Sequence, residues 1–160
     1  MRTATMLRAF VAGAVIVAAT SWAQASEVSS PRARCLDGRQ AALKAGGFSG
    51  PLVCEREHAS FKLAGTIRGA KQSYLVYDYR YQFMPEGGSV LHGGQRVVVL
   101  TSKGNYLGQY ALTPPPPLDV VVSGTFIAIS VGGEPRGVIE FKDGPPSSAL
   151  VDGERVTFFK

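Results

Sequence analysis

The sequence predicts a mainly β protein, an antiparallel sandwich or small barrel of about seven to eight strands, with one short N-terminal helix. Three observations carry that prediction. From Phe61 onward apolar and polar residues alternate with a period of two, clusters of turn-forming residues recur about every ten residues, and only one stretch, ahead of Phe61, has helical character. Nineteen glycines in 160 residues exceed the usual share of about 7%, as tight turns and bends require.

The N-terminus carries Arg2 and Arg8, the apolar run from Ala9 to Ala19, and small residues at Ala23 and Ala25. This order of charged, apolar and small residues predicts a secretory signal peptide over 1–25, cleaved after Ala25, rather than an uncleaved anchor. The run falls well short of the roughly 20 apolar residues of a membrane-spanning helix, and no second apolar stretch of that length follows, so no span is expected after cleavage. Arg2 and Arg8 are not adjacent, and no cysteine lies near the cleavage site to take a lipid. The expected location is the periplasm or the exterior.

Residues 26–34 are polar and aperiodic and read as a flexible lead-in. Residues 35–160 then form a single domain, a length that buries a core unaided. Cys35 and Cys54 are the only cysteines. In an exported chain they predict one disulfide, closing a loop of about 20 residues and contributing on the order of 3 kcal/mol. Their spacing is not the C-x-x-C of a redox pair. Between them, Asp37 is a candidate N-cap, residues 41–44 favour helix, and Gly46 and Gly47 end it, giving a helix of about two to three turns held against the sheet by the bridge.

In the first strand Phe61, Leu63 and Ile67 alternate with polar or small neighbours. The longest alternation follows in YLVYDYRYQF, where Leu75, Tyr77, Tyr79, Tyr81 and Phe83 share one parity and Asp78 and Arg80 are expected to face outward. RVVVLT, residues 96–101, is continuously apolar and predicts a strand covered on both faces. The turn residues 102–105 lead to YLGQYAL as a hairpin partner, with Tyr106 and Tyr110 expected on one face. Pro114 to Pro117 cannot donate ladder hydrogen bonds, so the chain leaves the sheet there in an extended crossover. Residues 118–131 are apolar on both parities and read as one long strand bent at Gly124. GGEPRG returns the chain into VIEFK, with Ile139 and Phe141 on one side, and Asp152-Gly153 predicts a type I′ hairpin at the end.

Composition narrows function. Removing the signal takes the basic count from 17 to 15 against 12 acidic residues, a mild excess spread along the chain, and nucleic-acid binding calls for a clustered patch. Glu55, Glu57 and His58 lie close in sequence but match no metal-binding spacing, so neither metal nor cofactor is expected. His92-Gly93-Gly94 resembles an oxyanion loop, yet no G-x-S-x-G elbow accompanies it; a triad of a serine, His92 and Asp78 would have to converge in space. TPPPP reads as a stiff connection in preference to a ligand for an aromatic groove.

The tyrosines are the remaining candidates. Tyr77, Tyr79, Tyr81, Tyr106 and Tyr110 each pair a ring with a polar tip, which suits a half-wet face for a protein, peptide or glycan; the same spacing also marks the covered face of any antiparallel strand. The only tryptophan, Trp22, falls in the signal peptide, which weakens the glycan version. The expected function is therefore a non-enzymatic binding module with a protein or peptide partner in the cell envelope. The alternatives are a structural accessory protein that associates through a strand edge and a small hydrolase.

Overall fold

The structure, a computed structural model, describes residues 35–50, 52, 59–113 and 117–160. Residues 1–34, Cys54, the Glu55–His58 cluster and Pro114 to Pro116 lie outside the described residues, as does the side chain of Cys35, and with them the signal peptide and the Cys35–Cys54 bridge.

Nine strands form one antiparallel sheet: β1 (Ser60–Arg68), β2 (Ser73–Phe83), β3 (His92–Thr101), β4 (Tyr106–Leu112), β5 (Asp119–Ser123), β6 (Phe126–Val131), β7 (Glu134–Glu140), β8 (Ser148–Val151) and β9 (Glu154–Phe159). The extra strand arises at residues 118–131. Gly124, with φ of 59°, makes a reversal where a bend was expected, so Val122 pairs with Ile127 and the segment is a hairpin, β5 and β6. Asp152 and Gly153 both have positive φ, 52° and 80°, and Val151 pairs with Glu154, the predicted I′ geometry.

The order is β1-β2-β3-β4-β9-β8-β7-β6-β5. The chain climbs through four strands, crosses between β4 and β5 to the far edge, and returns so that β9 lies beside β4. The curled sheet brings the two edge strands together as a nearly closed barrel. Every ladder is antiparallel, and with nine strands the two edges must run in the same direction. The antiparallel alternation therefore cannot continue across the seam, and close packing fills it: a Cβ at Gly65 of β1 would come within 2.6 Å of Val122 Cβ on β5.

Two apolar clusters result. Val76, Val97, Tyr110, Ile127, Ile139 and Phe141 belong to the one that fills the barrel. The other lies on the outside of β1 to β4, where Tyr77, Tyr79, Tyr81, Val98, Leu100 and Tyr106 meet Leu36 and Leu43. Val97 and Val98 thus go to opposite clusters, so β3 is covered on both faces as its apolar run predicts.

The covering segment is a 3₁₀ turn, Cys35–Gly38, followed by α1, Gln40–Ala45. Arg39 stands at the N-cap position in place of Asp37, and makes no side-chain cap hydrogen bond; the helix is correspondingly shorter than expected, at six residues. It ends at Gly46 as predicted, for a packing reason: a Cβ there would lie 2.6 Å from Tyr106 Cβ.

Candidate binding surface

All five candidate tyrosines are buried; none of Tyr77, Tyr79, Tyr81, Tyr106 and Tyr110 is more than 6% exposed. Four lie beneath the helical segment. Tyr77 stacks on Phe61 with centroids 4.4 Å apart, Tyr79 and Tyr81 stack at 4.9 Å, and Phe48 of the covering segment meets Tyr106 edge-on at 5.6 Å. The polar tips find local partners where they can. The Tyr81 hydroxyl accepts a hydrogen bond from Arg96 Nε at 2.9 Å, and the Arg96 guanidinium also faces the Phe48 and Phe159 rings. Arg96 Nη1 and Gln109 Nε2 both donate to the Ser49 carbonyl, at 3.1 and 2.7 Å, which ties the end of the covering segment to the sheet. Burial pushes the Tyr106 hydroxyl up to about 12 against the opposing pull of Arg96.

Tyr110 is separated from this group. Between Val99 and Leu100 of β3 the ladder steps from Gly108 to Tyr106, so Leu107 is an extra residue in β4. The bulge reverses the parity and sends Tyr106 outward and Tyr110 into the barrel, where its hydroxyl donates to the Pro146 carbonyl at 2.7 Å. The expectation that both share a face is corrected by that one residue. Leu63 and Gly65 mark a second shift, in β1, which sends Phe61 outward and Ile67 inward.

Asp78 and Arg80 also reverse their expected direction. The odd positions of β2 face the helical segment, so the even positions face the barrel, and Asp78 is buried there. Its Oδ1 accepts from Gln95 Nε2 and its Oδ2 from Arg80 Nε, each at 2.8 Å. Gln95 in turn grips Leu118, accepting its N–H at 2.9 Å and donating to its carbonyl at 2.6 Å, while Arg80 Nη2 reaches the same carbonyl at 2.8 Å. Burial raises the Asp78 carboxyl above the ordinary aspartate range, opposed by the Gln95 hydrogen bond and the Arg80 charge. The cluster fastens the chain where it re-enters the sheet after the prolines.

The hydrolase elements are not brought together. His92 pairs with Phe83, on the outer parity of β3, and its ring lies 5.8 Å from the Phe83 ring, whereas Asp78 points to the inner face. At Gly94 a side chain would run into the Tyr81 ring, so this glycine serves ring packing. Among the described residues no three His, Cys, Asp or Glu side chains cluster as metal ligands, and no helix is long and apolar enough to cross a membrane.

Exposed apolar side chains occur on β1 at Leu63, in the β2–β3 loop at Met84, Val90 and Leu91, and, joined across paired strands, on the other half of the sheet. Val121 pairs with Ala128 and Ala128 with Val138, and the Gly137–Val151 pairing sets Leu150 beside Val138. These four residues form a row across the outside of β5 to β8, with Val121, Val138 and Leu150 exposed by 54, 52 and 62%. Phe126 flanks the row on β6, and no described element covers it. The signal for it was present in the sequence: residues 118–131 are apolar on both parities, and only one parity can line the barrel.

No family model matches the chain, and no curated protein or solved structure does so either. Fold and surface define it only as a small antiparallel barrel with one covered and one bare outer face.

Proposed function

We propose that the protein is a non-enzymatic binding module of the cell envelope or exported space that engages a protein partner through the bare outer face of β5 to β8. The exposed row of Val121, Val138 and Leu150 carries this reading. Contiguous apolar surface is the ordinary mark of a contact site, and strand pairing joins this row where Leu63 of β1 and Met84, Val90 and Leu91 of the β2–β3 loop, also exposed, are not joined by it. The tyrosines, first candidates for that role, lend it less support, because each is enclosed by the chain's own packing. The barrel interior is occupied by its own side chains, so a partner is met on the outside.

The rival readings draw less from the geometry. Association through a strand edge needs a free edge, and β1 and β5 pack on one another at Gly65 and Val122. Hydrolysis needs His92 and Asp78 to converge, and they lie on opposite faces.

A photoreactive residue placed at Val138 tests the proposal in cells that produce the chain. The expected outcome is one adduct of defined mass with another protein, lost when Leu150→Glu is added. The same adduct pattern from a photoreactive residue at Glu86, or adducts of the chain with itself alone, would overturn it.

A further inference from the structure

Topology collects charges that are dispersed along the sequence. The β1–β2 turn carries Arg68 and Lys71, the β3–β4 turn carries Lys103, and the β7–β8 loop carries Lys142. Contacts place the three together at one end of the barrel. Ser102 N–H, beside Lys103, donates to the Ser73 carbonyl at 3.0 Å. Tyr74, which follows the first turn, meets the Phe141 ring at 5.5 Å, and a Cβ on Gly144 would stand 3.2 Å from its hydroxyl.

All four basic side chains are exposed. Only Lys142 has a carboxylate partner among the described residues, Glu140 at 3.5 Å; Asp143 is the other acid at this end. The opposite end has the reverse character. Glu86, Asp119, Glu134, Asp152 and Glu154 are exposed there; Arg136 is engaged by Glu134 and Asp152 and Arg80 by Asp78 and Asp119, while the exposed Arg155 reaches the Ser148 hydroxyl at 3.5 Å. The barrel therefore has a basic end where Arg68, Lys71 and Lys103 have no carboxylate partner among the described residues, and an opposite end where exposed carboxylates outnumber cations.

We propose that the basic end is a docking site for an anionic lipid surface, recognised through its headgroup phosphates. Three turns that finish at the same end of a barrel can meet a plane of charge simultaneously. Lysine suits that target, since it is a point charge on a flexible stem and matches a diffuse array of phosphates without demanding fixed geometry. A nucleic acid fits less well: Tyr74 and Phe141, the paired rings at this end, are buried and cannot stack on a base. Docked this way, the barrel stands on its basic end with the row of Val121, Val138 and Leu150 along its side, free for a partner. The assignment does not rest on that row.

The test is vesicle sedimentation of the chain as cells process it from the whole sequence. Binding to phosphatidylcholine vesicles containing phosphatidylglycerol should exceed binding to pure phosphatidylcholine and fall as salt rises. Lys71→Gln with Lys103→Gln should lower the anionic component about fivefold for each charge removed. Glu154→Gln, at the far end, should leave it unchanged, and Arg68→Gln with Lys142→Gln repeats the test should the first pair fail to fold. Equal binding to both vesicle types would overturn the proposal, as would undiminished binding by a folded double variant. So would tighter binding to a short DNA duplex than to the anionic vesicles at the same salt.

Discussion

Gln95 supports the fold through hydrogen bonds that no alternation pattern reveals. Its amide does for Leu118 what a neighbouring strand would do, receiving the N–H and supplying a donor to the carbonyl. Replacing it with leucine strands the Leu118 N–H in a buried place and takes a donor from Asp78. Gln95→Leu should cost about 2–4 kcal/mol, read as a lower denaturant midpoint with unchanged slope. In the sequence Asp78, Arg80 and Gln95 look like ordinary solvent-facing residues. Their direction was illegible because polarity alone suggests water, while here one carboxylate, one guanidinium and one amide satisfy each other inside. Tyr81 and Gly94 show the complementary case: the ring was visible in the sequence, but its need for a glycine opposite appears only with the register.

At the scale of elements, the turns were the most legible features and the faces the least. Asp152-Gly153 and the turn after Thr101 carry their geometry in their own residues. Which face a strand side chain takes depends on counting residues from a fixed point, and bulges near Ala64 and Leu107 break the count. The helical segment is legible as a helix but not as a lid over tyrosines. Leu43 anchors it, fully buried in the outer cluster. Leu43→Ala should destabilise the chain by about 2–5 kcal/mol, a core-sized cost from a helix of under two turns. Urea unfolding followed by near-ultraviolet circular dichroism measures it. A loss within the range of surface substitutions, about 0.5 kcal/mol, would show the segment to be weakly attached.

At the scale of the whole molecule, the β fold class was readable from periodicity, while the strand order was not, because a crossover from β4 to the far edge leaves no local trace beyond its prolines. The same crossover explains why a scattered set of lysines becomes one charged end. The tyrosine row lies under the chain's own packing, which leaves the bare outside of β5 to β8 as the contact face we propose. Alkaline titration of tyrosinate absorbance tests that packing most directly, read at Tyr106 in the outer cluster and Tyr110 in the barrel, both buried. An exposed tyrosine ionises near 10, about where it does in the unfolded chain; Tyr106 is held up to about 12 in the fold and Tyr110 is raised as well. The unfolded chain therefore loses protons first, and stability present below pH 10 is lost as pH rises toward the folded value. The predicted result is that Tyr106→Phe and Tyr110→Phe leave the absorbance change around pH 10 as it is in the parent and lessen only the rise above it, where near-ultraviolet circular dichroism is lost. Tyrosinate absorbance near pH 10 that either substitution removes, with the fold intact, would contradict the account.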